Sequence, residues 1–195
     1  MDGVIRQWSG AVIEQAEKAA GLAPGELIVI MTSVPEYDAG LVGRASFNDW
    51  CNAIEQLAAE RVGTQAAREL VSGWRAFRGE LDPAVVELVA QVRQRVPVGL
   101  LSNAHDQLPA DLALLGLSNA FDEVIGSAAV GLAKPDPRIF ELAASAFGVT
   151  VSECFFVDDL APNIEAAKAV GMDGVVFTSA AQLRVDLVAR GLVAG

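Results

Sequence analysis

Cysteine is nearly absent from this chain of 195 residues. Cys51 and Cys154 stand far apart, and two isolated thiols exclude a disulfide framework and suit a reducing compartment. Histidine and tyrosine occur once each. Basic residues are also scarce: 14 Lys and Arg against 25 Asp and Glu give a net charge of −11, with no basic cluster, which argues against nucleic acid as a partner. No run approaches the ~20 apolar residues of a membrane span. The first residues show no charged stretch followed by an apolar one, so neither a membrane partner nor a signal peptide is expected, and the cytoplasm is the expected location. Repeats and low-complexity linkers are missing too. What is present is a 52% apolar composition, enough for a real core and against disorder.

From about residue 80 the pattern alternates between helix and strand. Asp82-Pro83 opens a helix, with Asp82 as N-cap and Pro83 at the first helical position. Val98 to Leu101 is a short apolar run that reads as a buried parallel strand. A helix follows from about 107 to 115 and stops at Gly116. Phe121 to Ile125, Cys154 to Val157 and Val175 to Phe177 are further strands. The intervening helices start at Asp136-Pro137, Pro162 and Ala181. The expected fold class is α/β, a Rossmann-like parallel sheet with helices on both faces. Residues 11–78 read differently. Ser46 and Asp49 form a capping box ahead of a 3.6-residue apolar period at Phe47, Trp50, Cys51, Ile54 and Leu57. Helices are expected at 12–20 and 65–77, while Leu27 to Ile30 is ambiguous between helix and strand. The expectation is an α-helical cap at 11–78 inserted into a core of 1–10 and 79–195.

In an open parallel sheet, ligands gather at the carboxyl ends of the strands. Ser102-Asn103 and Asp158-Asp159 each follow directly on a strand. Two adjacent carboxylates repel, so a pair calls for a cation; Mg²⁺ takes few carboxylates and keeps waters. The same pair also serves as a helix N-cap. Asn163, one turn beyond Asp159, can brace it. Lys134-Pro135 sits in a loop where proline restricts the lysine to an extended backbone; it is either a placed cation or a solvated surface lysine. Ser102 reads as a turn residue or as a hydroxyl holding anion oxygens at a helix start. Asp2-Gly3 alone is a common turn dipeptide.

The order of these motifs carries more than any one of them. Met1-Asp2-Gly3-Val4-Ile5, a helical insertion, a strand with Ser102-Asn103, Lys134-Pro135, and the run from Phe155 to Met172 containing Asp158-Asp159 and Asn163 together resemble the four motifs of the haloacid dehalogenase (HAD) superfamily, in its phosphatase-like subgroup. The resemblance covers essentially the whole chain. It implies Mg²⁺-dependent hydrolysis of a small phosphomonoester, with sugar phosphates as candidates, through an aspartyl-phosphate. It assigns catalysis to Asp2, as general acid/base, and to Lys134. Phosphate binding falls to Ser102, Asn103 and Lys134, and the Mg²⁺ ligands are Asp2, Asp158 and Asp159, with Asn163 in support. The first motif reads Asp-x-Asp-Gly, and Met1 falls on x. The nucleophilic aspartate and the strand bearing it therefore map ahead of Met1. The expectation is a start assigned at an internal methionine, the alternative a catalytically inactive scaffold or binding protein.

A dehalogenase on the same fold is a lesser alternative, opposed by Asp2, Asp158 and Asp159. A signalling receiver domain places its acidic pair early and its lysine last, the reverse of the order here. Around the site, His105 is either a phosphate contact or a helix-start residue. Trp8 lines the pocket mouth or packs under the cap. Arg44 meets a substrate group or makes a surface ion pair. The expected partner is a small phosphorylated metabolite.

Overall fold

The structure, a computed structural model, describes all residues Met1–Gly195. After a turn at Asp2–Gly3 the chain forms β1 (Arg6–Gln7), then the helices α1 (Gly10–Ala20), α2 (Glu26–Ser33), α3 (Pro35–Leu41), α4 (Phe47–Val62) and α5 (Thr64–Ala76), and then β2 (Glu80–Leu81). It continues as α6 (Pro83–Arg93), β3 (Gly99–Ser102), α7 (Leu108–Leu114), β4 (Glu123–Gly126), α8 (Ser127–Val130) and α9 (Pro137–Ala146). A 3₁₀ turn (Val151–Glu153), β5 (Phe155–Asp158), α10 (Ala161–Ala169), β6 (Asp173–Val176) and α11 (Ala180–Ala189) complete it. The α/β class read from the sequence is the observed one. No helix is long and apolar enough to cross a membrane.

The start and stop signals act as expected. The Asp82 carboxylate accepts from the amides of Ala84 and Val85 at the head of α6, and Ser46 and Asp49 close the capping box of α4. β3 and β4 pair in parallel, with Leu101 opposite Ile125, and β5 and β6 pair in parallel, with Val157 opposite Val175. The two pairs are not hydrogen-bonded to each other. The Met1 side chain is buried in the same apolar cluster as Leu100 of β3, with Val157 of β5 packed against it. Strand β6 begins two residues earlier than its apolar run suggests, because Asp173 takes the position opposite Phe155.

Four short elements escaped the sequence. The antiparallel pair β1–β2, with Arg6 opposite Leu81, ties the chain just before α1 to the chain just after α5; two-residue strands leave no periodicity to read. Helices α3 and α8 are also too short for one. The ambiguous Leu27–Ile30 segment is helical for a tertiary reason. Glu17 of α1 is 1% exposed, and its carboxylate accepts from the amides of Gly25 (2.9 Å) and Leu27 (2.8 Å), capping α2 from a neighbouring helix. Leu27, Ile30 and Met31 then face inward, and Ile28 and Val29 stay exposed. We expect Glu17→Gln to cost about 1–3 kcal/mol of stability by weakening this charged cap, measured by urea unfolding.

The insertion has its own apolar cluster, in which Ile30, Trp50, Ile54 and Leu70 pack and to which no residue after Val71 contributes a fully buried side chain. Each such buried side chain contributes ~1.5–3 kcal/mol. The Trp50 indole N–H donates to the Met31 carbonyl (2.8 Å), so α4 is registered against α2.

Candidate active site

Ser102 and Asp158 stand at the carboxyl ends of β3 and β5, and a side chain from a third segment joins these two strand ends. Lys134 spans the two. Its ammonium donates to the Leu101 carbonyl (3.1 Å) and to Asp158 Oδ2 (2.6 Å). The Lys134 backbone is held by Asn103, whose amide nitrogen donates to the Lys134 carbonyl (2.8 Å) and whose amide oxygen accepts from the Lys134 N–H (2.8 Å). The Lys134–Pro135 peptide is cis. Ser127, at the head of α8, braces the Asn103–Ala104 loop, its hydroxyl accepting from the Ala104 N–H (2.9 Å). Lys134 is thus a placed, buried cation and not a solvated one.

Asp158 is fully engaged. Besides Lys134 it accepts at Oδ1 from the Leu160 N–H (2.9 Å) and from the Asn163 side chain (2.8 Å). Burial pushes its carboxyl up, but the Lys134 ammonium and these hydrogen bonds outweigh burial and hold it below the usual carboxylate range. Asn163 therefore braces Asp158, not Asp159. The Asp159 carboxylate is exposed and lies against Gly3 so closely that a Cβ there would come within 2.1 Å of its Oδ2. Gly3 also has φ +74°, so the first motif approaches the acidic pair only as glycine.

Asp2 points elsewhere. Arg6 donates to both of its oxygens, Nε to Oδ1 and Nη2 to Oδ2, and the Trp8 indole N–H donates to Oδ1 (3.0 Å). Arg6 is 5% exposed and also donates to Asp111 of α7 (2.7 Å); Arg78, at the far end of the insertion, stands 3.6 Å from the other Asp111 oxygen. Burial opposes the Arg6 charge, yet its bonds to Asp2 and Asp111 prevail and raise its pKa. The proposed ligands Asp2, Asp158 and Asp159 are accordingly not gathered: no group of three or more His, Cys, Asp or Glu side chains converges to hold a metal ion. The reason lies in the partners, since Arg6 and Trp8 hold Asp2 while Lys134, Leu160 and Asn163 occupy Asp158. Mg²⁺ is satisfied by one or two carboxylates with waters and phosphate, so the exposed Asp159 beside Gly3 still suits it.

Arg6, Asp111 and Arg78 went unread in the sequence. Arg6 had a faint signal, the four-residue spacing from Asp2; Asp111 had none, being 105 residues from its partner. Arg44 is exposed, and Trp8 packs edge-on against Phe77 (5.7 Å) while binding Asp2.

A model of the haloacid dehalogenase-like hydrolase family matches residues 1–171. The chain belongs to this family. Among curated HAD-like and related proteins it is 35% identical over 144 residues to Phosphatase MT3486 of Mycobacterium tuberculosis, covering 71% of this chain and 65% of that one. It is 34% identical over 116 residues to the phosphoserine phosphatase of Thermus thermophilus (57% and 47%) and 31% over 113 to the (S)-2-haloacid dehalogenase of Xanthobacter autotrophicus (58% and 44%). The chain thus spans less than two thirds of the length of these relatives. A HAD family enzyme of Bacteroides thetaiotaomicron, solved with magnesium and inorganic phosphate, shares the fold with TM-score 0.70 at 19% identity, covering 91% of both chains. A solved dehalogenase shares it at TM-score 0.73 and 19% identity, over 95% and 94%.

Proposed function

We propose that this HAD-like hydrolase cleaves small phosphomonoesters, sugar phosphates among them, in the cytoplasm. The observation that carries this reading is the buried Lys134–Asp158 pair joining two strand ends beside Ser102–Asn103, a fixed positive charge in a strongly anionic protein. An anionic phosphoryl group needs such a charge. Residues 11–78 would act as a cap over a core of 1–10 and 79–195, and cap residues would choose the leaving group. Relatives named beta-phosphoglucomutase in Bacillus subtilis and fructose-1-phosphate phosphatase in Escherichia coli make sugar phosphates the first class to test.

In this reading Ser102 and Asn103 orient the phosphoryl oxygens while Lys134 balances their charge. An aspartate immediately preceding Met1 would attack phosphorus as the ester P–O bond breaks, and Asp2 would give its proton to the departing oxygen. A water then attacks the acyl-phosphate, its proton returns to Asp2, and inorganic phosphate leaves with the aspartate regenerated. For this Asp2 must turn away from Arg6 and Trp8. Asp159 and the Asp2 backbone carbonyl would hold Mg²⁺, with Asp158 behind them. When bound, the ion neutralises charge developing on the transferring group.

The test compares this chain with a form carrying an aspartate directly before Met1, preceded by a short apolar strand, and with the same form carrying asparagine there. Phosphate release from a panel of sugar phosphates is expected only with aspartate and only with Mg²⁺. No release from any form would leave a scaffold. Halide release from 2-haloacids without metal would make it a dehalogenase.

A further inference from the structure

The insertion meets the core at a second place besides its linkers. His105 lies three residues past Ser102, on the same loop. Its imidazole leaves the core and stacks on the Trp50 indole, centroids 4.3 Å apart and planes 8° from parallel, with Tyr37 and Phe47 beside it. Gly40 of α3 makes the room: a Cβ there would sit 2.1 Å from His105 Cδ2 and 2.5 Å from Nε2. The next residue, Asp106, accepts from the Phe47 N–H (2.8 Å), so a core carboxylate satisfies the first amide of α4. His105 is 9% exposed, and its buried Nε2 has no hydrogen-bond partner.

We propose that His105 and Asp106 form a docking pin by which the loop of the phosphate motif holds the helical insertion on the core, and that protonation of His105 withdraws this pin. The idea rests on reading residues 11–78 as a movable cap, but not on any phosphatase chemistry.

The neutral ring suits its place, flat on an indole with its edge against glycine backbone. A protonated ring carries an N–H on both nitrogens; Nε2 has no hydrogen-bond partner, and the nearby Tyr37 and Glu36 carbonyls only partly offset the burial of the charge. The charged and titratable groups around it come from three sides. Asp106 is adjacent on its own loop, the Tyr37 ring and the backbone carbonyls of Tyr37 and Glu36 come from α3, and Arg75 of α5 and Arg78 just beyond it reach over the Phe47 ring of α4. The Asp106 carboxylate, the Tyr37 and Glu36 carbonyls and the indole face favour a cation. Burial opposes it and prevails, setting the imidazole below its usual 6.5. The docked state therefore binds fewer protons than the undocked one. Docking is at full strength above the free imidazole value and weakens as pH falls below it.

The chain has one histidine, so the ring C–H signals in an NMR titration belong to His105 without assignment. A fluorophore pair at Cys154 and at a Gln65→Cys substitution on α5, with Cys51→Ala removing the buried thiol, reports the distance between insertion and core. We expect that distance to lengthen on acidification, with the same midpoint as the ring and below the ordinary ~6.5. His105→Phe keeps a ring on Trp50 without a titrating nitrogen and should hold the docked distance down to about pH 5, below the ordinary imidazole range. A distance that stays constant while the wild-type ring titrates overturns the pin, as does an equal lengthening in His105→Phe. The wild-type comparison decides by itself if that variant does not fold. Neither readout needs substrate, so a protein without phosphatase activity that still undocks would sink the functional reading and leave the pin standing.

Discussion

Replacing Lys134 by methionine is expected to destabilise the fold by about 3–5 kcal/mol, because it leaves a buried carboxylate without its counter-charge. The two side chains are 5% and 6% exposed, so solvent screening does little to soften the loss. Methionine fills the aliphatic volume of the lysine, which confines the change to its ammonium. The pH dependence should reverse sign as well. In the wild type the Asp158 carboxyl is held below its ordinary value. Its contribution is present above the unfolded carboxylate pKa of ~3.9 and is lost as pH falls through the lower folded value. Without Lys134, burial is opposed only by the hydrogen bonds from Leu160 and Asn163 and should prevail, raising the Asp158 pKa, so the variant should gain stability on acidification from neutral pH towards the carboxylate range. Urea unfolding across pH 4–8 with a chelator present, in ~0.5-unit steps, reads both effects. A variant that stays as stable as the wild type at neutral pH would show that the pair contributes nothing. For phosphate release by the form carrying the upstream aspartate, a loss of about 10²–10³ in turnover is expected, the scale for removing one preorganised charge-stabilising donor.

Arg6→Met should cost roughly 3 kcal/mol, the lower end for breaking a buried ion pair. The loss falls mainly on Asp111, whose side chain is 12% exposed, because Asp2 at 42% can turn to water. Arg78 cannot replace Arg6 without moving, being 3.6 Å from Asp111 with its own Nε buried and unpartnered. Arg6→Lys keeps the charge but not the planar fork that binds Asp2 and Asp111 together, and should recover only part of the stability. In an Asp111→Leu background the cost of removing Arg6 should shrink by about 0.5–3 kcal/mol, the coupling expected of residues in one network. Equal costs in both backgrounds would mean that Arg6 acts through Asp2 alone.

These two variants separate what was legible in the sequence from what was not. Lys134 could be picked out because its motif combines with others in a family order, and Asp158 because it ends an apolar strand. Their contact could not be read, since it joins residues 24 apart through a strand edge and a loop. The same limit explains the metal ligands. Asp2, Asp158 and Asp159 carry equal formal charge in the sequence, yet each has a different neighbour: an arginine from the linker, a lysine from a distant loop, and a glycine that leaves its carboxylate exposed. Which of them remains open to a cation depends on those neighbours, and none is adjacent in the chain.

By itself, the sequence determined the α/β class, the helical character of most of residues 11–78 and the strand-end position of Ser102 and Asp158, because caps, glycine stops and apolar periods act over a few residues. The tertiary structure alone decided that Leu27–Ile30 is helix, that Asp2 is tied to Arg6, and that His105 lies against Trp50 across the join between insertion and core. Each of these depends on a charge or ring brought from another element, and burial magnifies such contacts far beyond their worth in an open chain.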